Sequence, residues 1–430
     1  MDKENIKKIF KLALQYHQQN NLVEAEKLYN DVLKIDPRDT AVLVNLGVLL
    51  YSSKNYEKAK DLFEKVIVIN PDLAEAHHNL GRLFGDNKKY QKAISCYENA
   101  IKIKPNYIDA YFNLGLVFKE IGIFQKSIDC FEKIIEIDPE YEDAYNNCAA
   151  LLGDTRDTKQ AKIYLEKAIK INPQNIDLYW NLHGQSSDLD EALLILKKAN
   201  KINDNHTNTK IMISALEGYK GNFNYFNDLL KSDDFNHPYT RSVKWLFSLS
   251  KLPKIFFNRL DFFDAIISLS ERARPFYEFG VWRGDSFKYF INTFKKGFGF
   301  DTFTGLPEKW HDTEKEKYPS FGEVPKIEGG EFIVGKFEKT LSKFFLKNRP
   351  VASLINFDAD LYSSTLCALK NSNKIIDEKT ILIFDEFIMN KNWEKDEYKA
   401  LNEFCNDLSI TYEVLAVSLY TKQVAVKLKQ

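Results

Sequence analysis

The fold of the first half of the chain is decided by its most regular stretch, Ala110 to Pro139, which reads AYFNLGLVFKEIGIFQKSIDCFEKIIEIDP. Apolar residues recur in it at helical spacing on two successive arms, which predicts a pair of amphipathic helices. Gly115 in the first arm and Ser127 in the second are small enough to let the two helix backbones approach closely. Pro139 ends the second helix, because proline has no N–H to donate and disfavours helix in the residue before it. The stretch therefore predicts a helical hairpin.

This hairpin is one of a series of repeats with a period of 34 residues. Four registers recur at that interval: Pro37, Pro71, Pro105, Pro139 and Pro173; Asn45, Asn79, Asn113, Asn147 and Asn181; Gly47, Gly81 and Gly115, followed by Ala149; and Ala25, Ala59, Ala93, Ser127 and Ala161. The period and the recurring residues resemble the tetratricopeptide repeat (TPR). We count five clear units over about residues 6–173 and a shortened sixth up to residue 203. The resemblance implies a superhelical solenoid with a concave inner face, in which each repeat contacts only its neighbours.

The recurring asparagines have two open interpretations. Asparagine is a poor helix former because its amide competes for backbone hydrogen bonds, so five of them at one phase of the first helix suggest a use. In the first interpretation, the five amides line the concave groove and bind the backbone of an extended peptide, as in the repeat arms of similar glycosyltransferases. In the second, each amide satisfies neighbouring helix or loop groups. The first interpretation predicts that the groove recruits a protein or peptide partner.

The chain changes its pattern twice after the repeats. We place the solenoid at residues 1–204 and a helical cap and joint at 205–269, where helical apolar spacing persists without the 34-residue register. Residues 270–430 alternate short apolar runs with helical stretches, which is typical of a parallel sheet. Seven runs are predicted as strands, at residues 276–282, 298–303, 331–337, 352–360, 380–387, 412–418 and 423–429. Five parallel strands ending in an antiparallel hairpin resemble the Rossmann-like α/β domain of class I S-adenosylmethionine (SAM) methyltransferases.

Acidic residues stand at the ends of three of these runs, at the edge where an open α/β sheet binds its ligand. They are Asp301 near the end of the second run, Asp358 and Asp360 at the end of the fourth, and Asp385 and Glu386 near the end of the fifth. Clustered carboxylates repel one another unless a cation or a proton shares their site. Hard oxygen ligands without a nearby cysteine or histidine favour Mg²⁺ over Zn²⁺. Alternatively, Asp358 and Asp385 are N-caps of the helices that follow their strands.

Six motifs in order resemble the macrocin O-methyltransferase family over roughly residues 270–430. They are YEFGVWRGDS, FDTFTGLPE, GKFEKTL, NFDADLYSST, IFDEF and NWEKDEYKALNEF. Members of that family are SAM-dependent, Mg²⁺-requiring enzymes that methylate sugar hydroxyls on natural products. The resemblance thus implies both cofactors for this chain.

The same resemblance implies a role for each matching residue. Gly280, Gly284 and Ser286 match the SAM-binding loop with Glu278 at its mouth, Asp301 matches the ribose-binding acid, Asp358, Asp385 and Glu386 match the metal ligands, and Asp360 matches the general base. Other members use a histidine near this last position, and residues 361–363 contain none. Asp360 is therefore either the base or an acid that binds substrate or supports the site. The polar segment 308–330 is predicted to be a lid, with Trp310 and His311 as candidates for acceptor contact.

Composition restricts the compartment and the partners. Lys and Arg (60) nearly balance Asp and Glu (61), so nothing in the charge suggests a nucleic acid or a membrane surface as partner. The five cysteines are odd in number and show no CxxC spacing, so we expect free thiols in a reducing compartment. No signal peptide or membrane-length apolar run is apparent. The sequence therefore predicts a cytoplasmic protein.

We expect a SAM-dependent, Mg²⁺-assisted O-methyltransferase that acts on a sugar or polyol acceptor, either a small molecule or a glycan. Its repeats would recruit a protein partner or carrier, and a homo-oligomer is expected from relatives that assemble as dimers or larger. Two other functions stay open. One is a methyltransferase whose acceptor is a peptide or glycopeptide held in the TPR groove, and the other is an interaction scaffold with an inactive methyltransferase domain.

Overall fold

The computed structural model describes residues 3–155, 157–308 and 322–429. It divides into two compact units, Met1–Leu151 and Leu152–Gln430. The boundary falls inside the first helix of the fifth repeat, Glu142–Thr155. The fifth and sixth repeats therefore contribute helices to the second unit.

Consecutive antiparallel helices build the first unit. They are α1 (Lys3–Gln18), α2 (Leu22–Ile35), α3 (Thr40–Ser52), α4 (Tyr56–Ile69), α5 (Ala74–Asp86), α6 (Tyr90–Ile103), α7 (Ile108–Glu120), α8 (Phe124–Ile137) and the first part of α9 (Glu142–Thr155). Each odd-numbered helix up to α7 packs against the next helix, and the resulting pairs pack against one another. The helices α2, α4, α6 and α8 each end two residues before a repeat proline. The predicted helical solenoid is confirmed here.

One side-chain contact explains the glycine register of the repeats. A Cβ atom at Gly81 would come 2.7 Å from the ring of Tyr97, which is buried in the facing helix. The equivalent contacts, at 2.5 and 2.9 Å, are Gly47 with Phe63 and Gly115 with Phe131. The glycine therefore makes room for a large ring of the second helix. The predicted close approach of the two helix backbones is seen at Ser127. Its buried hydroxyl donates to the Gly115 carbonyl of the neighbouring helix at 2.7 Å.

Eleven helices of the described chain begin in the second unit. They are α10 (Thr158–Ile171), α11 (Ile176–His183), α12 (Leu189–Ile202), α13 (Thr207–Tyr219), α14 (Asn224–Leu229), α15 (Pro238–Ser248), α16 (Arg259–Ser268), α17 (Asp285–Phe294), α18 (Phe337–Phe345), α19 (Tyr362–Ser372) and α20 (Glu397–Leu408). Short 3₁₀ helices lie at Asp233–Asn236, Asn373–Ile375 and Trp393–Lys395. Helix α11 has 8 residues, compared with 13 in α7, so the sixth repeat is shortened as predicted.

A mixed sheet forms the centre of the second unit. Its strands are β1 (Lys254–Phe256), β2 (Phe276–Phe279), β3 (Gly297–Asp301), β4 (Gly330–Val334), β5 (Leu354–Phe357), β6 (Ile381–Phe384), β7 (Thr411–Ser418) and β8 (Val424–Lys429), in the spatial order β1-β7-β8-β6-β5-β2-β3-β4. Strands β2 to β6 are mutually parallel, and β8 pairs antiparallel with both β6 and β7. The predicted five parallel strands and antiparallel hairpin are present.

The prediction of seven strands is wrong by one. Strand β1 lies in the segment that we predicted to be a helical joint, and it pairs parallel with β7. Its three residues are too few to show a period-2 pattern, and partial burial leaves no continuous apolar run. This segment is a strand because it pairs with β7, which is distant in sequence. A local sequence pattern cannot reveal such a partner.

A ladder of phenylalanine rings brings the ends of four parallel strands into register. Phe300, Phe279, Phe357 and Phe384 pair across β3, β2, β5 and β6. Their rings stack at centroid distances of 4.8, 5.4 and 4.9 Å along this row, and all four are fully buried. Stacked rings on neighbouring strands stabilise the pairing of those strands. The residue that follows each ring therefore lies at one common edge of the sheet.

Candidate active site

The residues that follow the phenylalanine ladder line a cavity of about 290 Å³. Six residues singled out from the sequence line it: Gly280, Asp301, Asp358, Asp360, Asp385 and Glu386. Three other predicted residues, Glu278, Gly284 and Ser286, are not part of its described lining. The structure thus brings the predicted acids together and separates part of the predicted cofactor loop from them.

The loop after β2 is shaped by backbone crowding and by one carboxylate. Gly280 has φ +89°, and a Cβ atom there would come 1.8 Å from the carbonyl oxygen of Asp358. The Oδ2 atom of Asp301 accepts hydrogen bonds from the backbone N–H groups of Val281 and Trp282, both at 2.8 Å. Its Oδ1 atom accepts from the N–H of Phe303 at 2.7 Å. Since a carboxylate offers about four acceptor positions, these bonds leave roughly one for a ligand hydroxyl.

Glu278 lies beneath this loop and is fully buried. Its Oε1 atom accepts from the Ser286 hydroxyl and, at 2.8 Å, from the side-chain amide of Asn356. No described group bonds to its Oε2 atom. Burial raises the pKa of Glu278 to about 8, against the lowering effect of these two hydrogen bonds. The carboxyl group therefore carries a proton at neutral pH.

Asp358 and Asp360 are the acids of the cavity that the protein does not neutralise. Neither side chain has a hydrogen-bond or ion-pair partner among the residues that the structure describes. Burial raises the pKa of Asp358 well above its usual value, and the charges of Asp385 and Asp360 raise it further. The pKa of Asp360 is also raised, by burial and then by Glu386 and Asp385. These two carboxyl groups are the natural sites for a proton or a cation.

Asp385 and Glu386, which also line the cavity, are held by basic and amide side chains. The Oδ2 atom of Asp385 pairs with Nη2 of Arg259 at 3.0 Å, and its Oδ1 atom accepts from the amide of Gln423. The Oε2 atom of Glu386 accepts from Nζ of Lys422 at 3.2 Å and from the amide of Asn390 at 2.6 Å. Two of the three predicted metal ligands therefore already have partners.

Sequence reasoning missed a further acid at this edge, Glu397. It is fully buried at the start of α20, and its Oε2 atom accepts from the backbone N–H of Glu386 at 3.2 Å. Burial, followed by the charges of Asp360 and Asp385, raises its pKa well above the usual value. Its position in the first turn of a helix, within the quoted motif NWEKDEYKALNEF, was a usable signal. No such signal was available for Arg259, because it lies 126 residues before its partner Asp385 in the chain.

The donor chemistry of the cavity fits a hard divalent cation. Four carboxyl groups line it together (Asp358, Asp360, Asp385 and Glu386), Arg259 pairs with Asp385, Lys422 pairs with Glu386, and the charge of Glu397 acts on the same acids. Carboxylate oxygens are the ligands that Mg²⁺ prefers. Within residues 3–155, 157–308 and 322–429, however, no group of three His, Cys, Asp or Glu side chains is arranged to hold a metal ion. Binding would therefore require Asp385 or Glu386 to exchange its present partners.

Backbone strain is concentrated at the same edge. Trp282, Phe303, Asp360 and Met389 have φ of +50°, +57°, +56° and +71°, and they lie in the loops after β2, β3, β5 and β6 respectively. A non-glycine residue in this region costs about 1–2 kcal/mol. Such residues cluster at ligand sites, where the surrounding structure holds them in place.

The recurring asparagines of the repeats bond to their own helices, as the second interpretation expects. The Nδ2 atoms of Asn45, Asn79, Asn113 and Asn147 donate to the carbonyl four residues earlier, at 2.8–2.9 Å. Among the described residues no group donates to their Oδ1 atoms, and the four side chains are partly exposed. Asn181 differs, because its Oδ1 atom accepts from the hydroxyl of Tyr420 at 3.2 Å. The amide nitrogens thus serve the repeat itself, and peptide binding by the Oδ1 atoms stays a prediction.

Two other expectations concern the candidate residues for acceptor contact and the cysteines. Trp310 and His311 lie outside the described residues. Cys96, Cys130, Cys148, Cys367 and Cys405 are all free thiols. Across the described part of the chain, no helix has the length and apolar character needed to cross a membrane.

Comparison with known proteins identifies the repeats. Models of the tetratricopeptide repeat match residues 16–83, 82–122, 108–141 and 142–175. No curated protein matches the chain. Solved structures similar to it include MamA, which is 28% identical with a TM-score of 0.36, covering 38% of this chain and 95% of MamA. The chain also resembles pilF of Pseudomonas aeruginosa (20% identical, TM-score 0.39, covering 52% and 97% of the two chains). A third similar structure is the C-terminal part of a TPR repeat-containing protein from Cytophaga hutchinsonii. It is 16% identical with a TM-score of 0.47, and the match covers 52% of this chain and 95% of that one.

The family models bear on the first half of the chain. Stacked repeats of this class form extended concave surfaces that bind other molecules. The prediction of tetratricopeptide repeats is confirmed over residues 16–175, and with it a general role in protein–protein interaction or peptide binding.

Proposed function

We propose that the second unit is a SAM-dependent, Mg²⁺-assisted O-methyltransferase acting on a hydroxyl of a sugar or polyol, and that the repeats recruit a protein partner or carrier. The observation that carries this proposal is the cavity at the carboxyl edge of the sheet. Six residues to which the family resemblance gives cofactor, metal or base roles line it together. The sheet supports the proposal too, because its parallel strands and terminal antiparallel hairpin follow the order of class I methyltransferases.

SAM would supply an electrophilic methyl group to this cavity. The protein contributes a loop bent at Gly280 and the carboxylate of Asp301, which fixes that loop through the N–H groups of Val281 and Trp282. Asp301 retains about one acceptor position for a ribose hydroxyl. Its main contribution is therefore to hold the loop in place.

Mg²⁺ would be held by Asp358, Asp385 and Glu386, and would lower the pKa of a bound acceptor hydroxyl. Asp358 contributes an uncompensated charge for this role. Arg259 pairs with Asp385 and Lys422 pairs with Glu386, and these ion pairs hold the two acids at the edge before a cation binds. The protein thereby prepares the site while limiting the repulsion between its acids.

Asp360 is suited to accept the proton of the acceptor hydroxyl. Its burial and its acidic neighbours Glu386 and Asp385 raise its pKa, and a carboxylate with a raised pKa is a stronger base. As the base it would take the proton as the oxygen attacks the methyl group, with no covalent enzyme intermediate. In its alternative role it would orient the hydroxyl by a hydrogen bond.

Calorimetry with SAM, in the presence and absence of Mg²⁺, tests the proposal. We expect the wild type to bind SAM, and Asp358→Asn to weaken metal-dependent binding at least tenfold. A matched control is Asp407→Asn, which removes an exposed acid that pairs with Lys370 at 3.0 Å on the surface. If the wild-type chain binds no SAM under either condition, the methyltransferase proposal is wrong and an interaction scaffold remains.

A second candidate is a methyltransferase whose acceptor is a peptide or glycopeptide. The partly exposed Oδ1 atoms along the repeats favour it, since they could accept from peptide N–H groups. Incubation of a cell extract with methyl-labelled SAM separates the two candidates. Label on protein supports the second, and label on small molecules or free glycans supports the first.

A further inference from the structure

The loop between β7 and β8, Leu419–Gln423, is a tightly closed turn. The backbone N–H of Ser418 donates to the carbonyl of Gln423 at 2.8 Å, and the hydroxyl of Thr421 bonds to Ser418 Oγ at 2.6 Å. The same hydroxyl donates to Oε1 of Gln423 at 3.0 Å. Leu419 and Gln423 are buried. A displacement of one residue of this hairpin loop must therefore move the others.

The side chain of Tyr420 in the hairpin loop packs against the sixth repeat, at a contact surface on α11 that we call its seat. A Cβ atom at Gly184, which caps α11, would come 2.6 Å from the Tyr420 ring. The ring also makes an edge contact with the buried ring of His183, at a centroid distance of 5.2 Å. Its hydroxyl donates to Oδ1 of Asn181 at 3.2 Å. Asn181 and His183 of α11, together with its cap Gly184, thus form the seat of Tyr420.

The next residues of the same loop hold the acids of the cavity. Lys422 donates to Glu386 at 3.2 Å and to Oδ1 of Asn390 at 2.8 Å. Gln423, which is fully buried, donates to Oδ1 of Asp385. Asp385 and Glu386 line the cavity directly. Three residues of chain therefore connect the seat on the repeat with the acids.

We propose that the sixth repeat is a positioning element of the active site. Tyr420, fixed on α11, sets the hairpin loop so that Lys422 and Gln423 hold Glu386 and Asp385 at the sheet edge. Tyr420, Lys422 and Gln423 are positioning residues, since they act on the reaction through the two acids. The proposal rests on the proposed function only in taking this edge as the reactive one. Its structural part, the coupling of α11 to the acids, is independent of what binds there.

Two glycine substitutions of equal steric severity test the coupling. Gly184→Ala places a Cβ atom 2.6 Å from the ring of Tyr420, and Gly81→Ala places one 2.7 Å from the ring of Tyr97 in the first unit. Both should lower the melting temperature. We expect only Gly184→Ala to increase hydrogen exchange severalfold in peptides covering residues 381–390 and 419–425. It should also lower kcat with SAM at least tenfold, with a smaller change in KM for the donor.

The exchange measurement needs neither SAM nor an acceptor, so it separates the two proposals. If the wild type binds no SAM but Gly184→Ala still loosens residues 381–390, the coupling stands and the proposed function fails. Unchanged exchange in that peptide in Gly184→Ala, with exchange raised only around α11, would overturn the coupling.

Tyr420→Phe covers the case in which Gly184→Ala fails to fold. It removes only the hydroxyl that bonds to Asn181, so the ring still fills its seat. Raised exchange at residues 381–390, by a smaller factor than for Gly184→Ala, supports the proposal. Exchange equal to that of the wild type at those residues contradicts it.

Discussion

Gly280 and Asp358 touch through their backbones across two neighbouring parallel strands, since a Cβ atom at position 280 would lie 1.8 Å from the Asp358 carbonyl oxygen. Gly280 follows β2 and Asp358 follows β5, so the contact joins the loop of the cavity to its central acid. The glycine is thus required by the protein's own backbone. The family resemblance assigns Gly280 to the cofactor loop, and this backbone contact is a separate reason for a glycine there.

Gly280→Ala should destabilise the protein and distort the acid edge together. The substitution combines a left-handed backbone with a collision against backbone, and we expect a loss of about 3 kcal/mol or more in the free energy of unfolding. Gly221→Ala is the matched control, because Gly221 has φ +86° and nothing within 4 Å of its Cβ position. It should lose only about 1–2 kcal/mol. Urea unfolding of both variants measures the difference, and equal losses would show that the contact with Asp358 is unimportant.

Asp358→Asn should stabilise the protein while abolishing its activity. The wild-type carboxyl group is crowded by Asp385 and Asp360 and has no partner among the described residues, so its charged form is unfavourable. A neutral amide of the same shape removes that repulsion, and we expect a gain of about 1 kcal/mol near neutral pH. Thermal unfolding in the absence of ligand, together with methyl transfer, checks both parts. A variant that is less stable than the wild type would mean that the charge is compensated.

We expect the ionisation of Glu278 to lower the free energy of unfolding as the pH rises. Its pKa is about 8 in the folded protein and 4.5 as an unperturbed group, so the folded state binds more protons between these values. The stabilisation is fully present below pH 4.5 and is lost as the pH rises through about 8. Glu278→Gln keeps a neutral side chain at every pH. Melting temperatures from pH 5 to 9 should decline less steeply in the variant, and parallel curves would contradict the pKa shift.

The sequence predicted features that repeat or that end an element. The 34-residue registers identified the helical hairpins and their proline ends, and the acids that end apolar runs identified five of the residues that line the cavity. Both signals are local, and the topology of a parallel sheet then places strand ends side by side. This is why Asp301, Asp358 and Asp385 could be grouped before their distances were known.

Long-range partners could not be predicted in the same way. Arg259 reaches Asp385 across 126 residues, and Lys422 reaches Glu386 across 36. Strand β1 forms only because β7 offers it an edge. Glu278 was expected at the mouth of the loop and is fully buried, where Ser286 and Asn356 both donate to its Oε1 atom. Each of these outcomes depends on contacts that no local pattern encodes.

The asparagine register of the repeats should bind peptide through its Oδ1 atoms, while its Nδ2 atoms bond to the helices. Replacing Asn79, Asn113 and Asn147 by alanine removes three hydrogen bonds to helix carbonyls, each worth about 0.5–1.5 kcal/mol. Alanine recovers up to about 0.6 kcal/mol of helix propensity at each site, which offsets only part of this loss, so stability should fall by at most a few kcal/mol while far-UV circular dichroism keeps its helical signal. Binding of a labelled extended peptide, selected against the wild-type chain from a random library, should fall at least tenfold. The control is Asn87→Ala, which removes the same type of bond, from Nδ2 to the Leu83 carbonyl at 2.8 Å, outside the register. Equal peptide affinity in the triple variant and in Asn87→Ala would mean that these asparagines serve the helices alone.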